Sequence, residues 1–328
     1  MGQRFLVTGG AGYVGSHLVA ALCDRGDEAV VLDNLRTGHH AAVPPGIRFV
    51  QADLSDAATL DALLADGPWD AVFHFAALSQ VGESMRMPLR YLIENGANGM
   101  RLIDACVRHE VPRFVLSSTA ALFNERGNAP IPETAAIDPQ SPYGDSKWML
   151  ERALRWASEV HGLRIACLRY FNAAGADPAG RLGEDHRPES HLVPLVIDAA
   201  LGRRPALEVY GDDYETPDGT CIRDYVHVTD LADAHLLALQ CLAHSDVTWN
   251  LGNGAGHSVL AVIRAVERVS GLRVPYRIAP RRGGDAAVLV ASSALAQEAG
   301  WRPRFGALDE IVRTALLWRQ AHPNGYGA

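Results

Sequence analysis

None of the five cysteines (Cys23, Cys106, Cys167, Cys221, Cys241) forms a CxxC pair, and they make no metal-ligand grouping. This odd, scattered set suits a reducing cytosol. No apolar run approaches 18 uninterrupted residues, so no membrane-spanning helix is expected. The strand-like start at Arg4 to Thr8 follows neither a basic leader nor a long hydrophobic region, and the chain reads as cytoplasmic and unanchored. Basic charge is also short, with 30 Lys and Arg against 38 Asp and Glu, a net charge of −8. That balance argues against a nucleic-acid or anionic-membrane surface, and any anionic ligand must meet a local positive site. No internal repeat or low-complexity tract is present.

What the sequence does have is core-forming residues: 48% of its 328 positions are apolar, enough for one large domain or two intimate ones. Short apolar runs bounded by turn residues recur at Phe5 to Val7, Ala29 to Leu32, Ile47 to Val50, Ala71 to Phe75, Phe114 to Leu116 and Ile165 to Leu168. They read as buried parallel strands. Helical patterns lie between them at Ser16 to Arg25, Thr59 to Leu64, Asn98 to His109 and Pro142 to Val160. Such alternation predicts an α/β fold with a doubly wound parallel sheet of the Rossmann type.

Beyond Asn172 the texture changes, since Ala173 to Glu189 is rich in Gly, Pro and charge and lacks sustained periodicity. The expected division is a dinucleotide-binding domain over 1–175 and a smaller C-terminal α/β substrate lobe over 176–224 and 251–328. Residues 225–250 return to the first domain, through a helix at about Thr229 to Ala243 opened by a Thr–Asp cap and a run at Val247 to Leu251.

The first strand runs into Thr8-Gly9-Gly10-Ala11-Gly12-Tyr13-Val14-Gly15 and then a helical pattern from Ser16. Glycines at that junction let backbone amides approach a pyrophosphate at a positive helix terminus. A lone glycine motif is weak and a tight turn would explain it, but here the strand precedes and the helix follows, as the mechanism requires. Asp33 stands 18 residues beyond Gly15, ending the second strand. Its carboxylate can accept both ribose hydroxyls and repels an extra 2′-phosphate, which favours NAD over NADP. Asp53, ending the third run, can receive the adenine amino group or cap the next helix.

Ser141-Pro142-Tyr143-Gly144-Asp145-Ser146-Lys147 reads as a helix start, with Ser141 as cap and Pro142 at the first helical position. Lys147 then projects from the same face as Tyr143, one turn on. A free phenol has a pKa of about 10, and a nearby cation together with a helix N-terminus favours its ionised form, making it a usable general base. YxxxK alone occurs by chance on many surface helices. Thr119, at the end of a strand, can bond the reacting oxygen and relay its proton to Tyr143, while Ser117 and Ser118 read as structural or cofactor-adjacent.

Together the glycine turn, the YxxxK pair and the strand-end hydroxyl resemble the extended short-chain dehydrogenase/reductase family. Further stretches carry the likeness to the nucleotide-sugar epimerases within it: Asp33-Asn34-Leu35, His74-Phe75-Ala76-Ala77, Val81-Gly82-Glu83-Ser84, Arg169-Tyr170-Phe171-Asn172, Gly183-Glu184-Asp185, Gly219-Thr220, Arg223-Asp224-Tyr225-Val226-His227-Val228 and Asn250-Leu251-Gly252. The resemblance implies an enzyme that inverts C4 of a UDP-hexose through a 4-keto intermediate, using tightly held NAD, and it implies a homodimer. It places Gly9, Gly12, Tyr13, Val14, Gly15, Asp33, Asn34, Asp53, Leu54, Phe75, Ala76, Ala77, Asn95, Ser117, Tyr143, Lys147 and Tyr170 at the cofactor. Thr119, Tyr143, Asn172, His191, Leu192, Arg223, Arg282, Asp285 and Leu289 fall to the UDP-sugar. Arginine suits a diphosphate because its planar fork meets two oxygens at once. The alternative for each arginine is an ion pair, with Asp224 and Asp285 as ready partners.

The chain departs from the family at several positions. Thr119 replaces the usual Ser, Phe123-Asn124 stands where Tyr-Gly is usual, and Ser79 replaces a Lys of the cofactor loop in some relatives. His191 sits where an Asn often meets the diphosphate, and Leu289 at the position that limits pocket size, leaving open whether an N-acetyl group fits. His39 and His40 have no third ligand and read as solvated, and no metal is expected. A nucleotide-sugar dehydratase would need an acidic pair after Thr119, where this chain has Ala120 and Ala121. Epimerisation of UDP-N-acetylglucosamine, a UDP-pentose or a UDP-uronate is closer, and a non-catalytic dinucleotide-binding protein is the rival outside enzymology.

Overall fold

The computed structural model describes residues 2–124, 129–282 and 286–327. The chain opens with β1 (Arg4–Thr8), α1 (Tyr13–Asp24), β2 (Glu28–Asp33), β3 (Arg48–Gln51), α2 (Ala57–Ala65) and β4 (Ala71–His74). Two single turns, α3 (Val81–Ser84) and α4 (Pro88–Tyr91), run through a π-helical segment, Leu92–Ala97, into α5 (Asn98–Arg108). Then come β5 (Arg113–Thr119), α6 (Pro142–His161), β6 (Arg164–Tyr170), β7 (Asn172–Ala174), α7 (Leu192–Ala200), β8 (Leu207–Tyr210) and β9 (Ile222–His227). The remainder is α8 (Val228–Cys241), β10 (Val247–Leu251), β11 (Gly256–Ser258), α9 (Val259–Ser270), β12 (Tyr276–Ala279), β13 (Val288–Leu289), α10 (Ala294–Glu298) and α11 (Leu308–Ala321).

Seven strands form one sheet in the order β10-β6-β5-β4-β1-β2-β3. β1 lies parallel to both β2 and β4, so the chain reverses its direction of travel across the sheet at β1 and leaves a crevice beyond the carboxyl ends of these two neighbours. The strands are apolar throughout because helices cover both faces: Phe5, Leu6, Val7, Val30, Val31, Val72 and Phe73 are fully buried. This is the doubly wound Rossmann sheet that the strand and helix pattern predicts.

The chain divides into two compact units, one of residues 1–123, 136–169 and 232–249, the other of 124–135, 170–231 and 250–328. In the second unit β9 is flanked by β11, antiparallel, and by β13 and β7, both parallel. A separate parallel pair joins β8 to β12. Its core gathers α7, α9 and α11 around Val196, Ile197, Val262, Val266 and Val312.

Several local expectations shift. α1 begins at Tyr13, three residues before the apolar periodicity, so Tyr13, Val14 and Gly15 form its first turn. The helix after β3 is capped by Asp56, whose carboxylate accepts from Thr59 N at 3.1 Å, and Asp53 does not cap it. α8 starts with no break after β9, and its first turn is closed by His227 Nδ1 accepting from Thr229 N at 3.1 Å. Asp230, expected in that cap, instead accepts from Arg304 N and Phe305 N at 2.9 Å each. A side chain inside the fold offered the acceptor, and the aspartate was drawn to two otherwise unserved amides.

Candidate active site

The glycine turn is built by close approach. Gly9 has φ +74°, and a Cβ there would come 2.4 Å from Ala76 N. A Cβ on Gly15 would come 2.3 Å from Gly9 O, so α1 can start this near the turn only without a side chain. The N-cap is Gly12, which brings no side-chain hydrogen bond to that helix end. Amides and dipole are thus left for an anion.

Asp33 ends β2 beside this turn. Its two oxygens accept from Ala11 N at 3.0 Å and Leu35 N at 2.8 Å, which orients the carboxylate against the glycine loop. Burial pushes its pKa up, and the two amides oppose that shift. Asn34 donates to Asp53 at 2.7 Å, which ties these two expected contacts together, and Asp53 also accepts from Ser55 N at 2.9 Å. Leu54 is buried next to them. Phe75, Ala76 and Ala77 follow β4 and are half-buried, with the Phe75 ring 4.8 Å from that of His235. Asn95, 1% exposed, spans Leu78 N and O at 2.8 and 2.9 Å and reaches Ser146 at 3.2 Å. It ties the loop after β4 to α6. Ser79 in that loop is exposed.

The expected start of α6 is present. Ser141 Oγ accepts from Gly144 N at 3.2 Å and Pro142 occupies the first turn. Gly144 is required there, since a Cβ would come 2.3 Å from Ala121 O. Hence the first turn of α6 presses on the strand end that carries Thr119. Thr119 Oγ1 accepts from Ala121 N at 3.1 Å and hydrogen-bonds the Tyr143 phenol. Burial raises the Tyr143 pKa, and the Thr119 bond opposes that by favouring the phenolate.

One turn on, Lys147 is 1% exposed and donates to Ser117 O at 2.7 Å. Burial pulls its pKa down to about 8, against the raising effect of Glu151. Glu151 was not singled out from sequence. It accepts from Ser118 Oγ at 2.6 Å and from Arg169 Nε and Nη2 at 2.9 and 2.6 Å, all fully inside the unit. Its spacing from Lys147, four residues along one helix, was the available signal. Phe123 is buried under the Arg169 guanidinium at 5.6 Å, a packing role for the family's absent phenol. His74 Nδ1 bonds Thr8 Oγ1 at 2.7 Å, and burial, with Lys147 second, holds its pKa down at about 3.

In the second unit Tyr170 and Asn172 flank Phe171 at the start of β7, all half-buried. Register pairs Leu289 with Arg223, so the supposed pocket gate and diphosphate ligand are neighbours. Arg223 Nη1 donates to Ile222 O and Ala286 O at 2.9 and 2.8 Å. The Asp224 carboxylate accepts from Asn253 N, Gly254 N and Ala291 N at 2.8, 3.0 and 3.0 Å. Arg282 lies over the Tyr210 ring at 4.2 Å, and Asp285 falls outside the described residues.

His191 precedes Leu192 at the N-terminus of α7 and bonds Glu184 through Nδ1. Burial lowers its pKa, but the Glu184 charge outweighs this and leaves it raised. His186 and Glu189 lie in the same group, which spacing along the chain does not reveal. His40 packs edge-on to Phe49 at 4.7 Å. No helix among the described residues is long and apolar enough to cross a membrane.

The sequence profile of the NAD dependent epimerase/dehydratase family matches residues 5–252. A UDP-glucose 4-epimerase of Halalkalibacterium halodurans is 47% identical over 327 residues, covering 99% of this chain and 98% of that one. The crystal structure of a UDP-glucose 4-epimerase from Brucella ovis in complex with NAD superposes with TM-score 0.93 at 45% identity, over 96% of this chain and 98% of that one. The Bifidobacterium longum enzyme, in complex with NAD+ and UDP, gives TM-score 0.92 at 36% identity over 98% and 100% of the two chains.

Proposed function

The chain belongs to the NAD dependent epimerase/dehydratase family, and we propose that it is a UDP-glucose/UDP-galactose 4-epimerase that works through a 4-ketohexose with NAD as cofactor. The observation that carries this reading is the Thr119 hydroxyl on the Tyr143 phenol, one helical turn from a buried Lys147. Gly9, Gly12 and Gly15 leave the room a dinucleotide diphosphate needs, and Asp33 offers an oriented carboxylate to the adenosine ribose. NAD, when bound, supplies the acceptor and then the donor of the C4 hydride.

Tyr143 takes the proton of the C4 hydroxyl and later returns it, with Thr119 as the hydrogen-bonding neighbour that favours the phenolate. Lys147 contributes a positive charge within the same helical turn. Asn172, Arg223 and Arg282 hold the UDP moiety while the sugar is left free to turn, so that hydride returns to the opposite face of C4. Ala120 and Ala121 leave no acid–base pair after Thr119 for dehydration.

The purified chain, given UDP-galactose without added cofactor, is expected to yield UDP-glucose; a panel of UDP-sugars including N-acetylated ones tests Leu289. Absence of conversion of every sugar, with NAD supplied, overturns the reading. A homodimer is supported by Met85, Leu89, Ile93, Trp156 and Val160, which expose 60, 70, 57, 64 and 65% of their surface on adjacent segments of the first unit. Light scattering measures this mass directly. None of the five cysteines is joined in a disulfide, which fits cytoplasmic residence.

A further inference from the structure

The loop leading into α7 holds four side chains that the proposed reaction does not use as a group: Glu184, His186, Glu189 and His191. One donor atom from each lies within 4.8 Å of the other three. His186 Nδ1 is 3.2 Å from Glu184 Oε1 and 3.7 Å from Glu189 Oε1, and His191 Nδ1 touches the same Glu184 oxygen. Tetrahedral zinc with bonds of roughly 2.0–2.1 Å spaces its donors about 3.3 Å apart. The observed edges bracket that value.

A second observation points the same way. Glu189 is 10% exposed, and its Oε1 serves Ser190 N and His191 N at 2.8 and 2.9 Å. Its other oxygen, Oε2, is buried with no hydrogen-bond partner among the described residues. A cluster held only by internal ion pairs leaves that oxygen unserved, at a cost typical of a buried unsatisfied acceptor. A cation bound by the Glu189 carboxylate offers that oxygen a partner.

We propose that Glu184, His186, Glu189 and His191 form a binding site for one divalent ion of the zinc class. Two carboxylates and two imidazoles neutralise its charge, and mixed nitrogen and oxygen donors suit a borderline-soft ion. The scaffold is stiff: Gly183 lies against the Trp318 ring and donates to Tyr326 Oη at 3.0 Å. His191 keeps 44% of its side chain exposed, which gives the ion a way in.

The test uses the untagged full chain with NAD and zinc chloride titrated against a chromogenic chelator. One zinc per chain is expected, weakened at least about tenfold by His186→Asn and by Glu189→Gln and unchanged by a His39→Asn/His40→Asn double variant. No stoichiometric zinc, or zinc lost only in the His39/His40 variant, overturns the proposal. X-ray absorption at the zinc edge of the wild-type chain decides it without variants. A nitrogen and oxygen shell at about 2.0–2.1 Å with imidazole scattering supports the site, and a sulfur shell at about 2.3 Å overturns it by moving the ion to the cysteines.

Discussion

Lys147 is buried where a charge is costly, and the fold accepts that cost at the residue proposed to assist Tyr143. A lysine whose folded pKa lies at about 8, below its ordinary 10.5, penalises the folded state fully below pH 8 and progressively less up to 10.5. That depression is worth up to roughly 3 kcal/mol, whereas losing the bond to Ser117 O costs about 1 kcal/mol. Lys147→Met is therefore expected to raise the melting temperature of the NAD-free chain at pH 7 while suppressing turnover. A lower melting temperature would show that the ammonium is a structural pin. Tyr143→Phe should leave NAD bound, read from its absorbance after gel filtration, and reduce turnover about 100- to 10,000-fold. The glycines, Asp33 and the YxxxK pair were legible one residue at a time because each obeys a local rule. Glu151 was not, since its importance lies in Ser118 and Arg169, 33 and 18 residues away in sequence.

The strand–turn–helix of residues 4–24 is proposed to bind NAD through its backbone, so its sequence is restricted by space more than by chemistry. Gly15→Ala drives a methyl group into Gly9 O, and either the turn opens or α1 shifts. NAD retention is expected to fall by at least about tenfold with the fold intact by circular dichroism; unchanged retention would mean that the glycine turn does not cradle the diphosphate. β9 illustrates what periodicity misses. Its Asp224 side chain closes three backbone amides from residues 253, 254 and 291, a job with no signature in the strand's own pattern. The short strands of the second unit were likewise invisible as elements, because two to six residues amid turns carry too little periodicity.

Acid response belongs to the molecule as a whole, and His74 gives it a measurable component. Its folded pKa of about 3 is far below the ordinary 6.5, so the unfolded chain binds a proton that the folded one refuses between these values. Stability from this group is fully present above pH 6.5 and is lost as pH falls toward 3. His74→Gln should flatten the fall in stability between pH 6.5 and 5 by up to about 1.4 kcal/mol per pH unit, measured by urea unfolding at each pH. An unchanged slope would mean that His74 titrates normally.

The sequence by itself determined the Rossmann sheet, the glycine turn and the phenol–ammonium pair, because period, glycine and helical spacing act over a few neighbouring residues. Only tertiary structure decided which carboxylate serves which amide, that Glu151 takes Ser118 and Arg169, and that Glu184, His186, Glu189 and His191 converge. Those outcomes follow from buried polar groups seeking partners wherever the packed chain brings them, and sequence distance has no hold on that search.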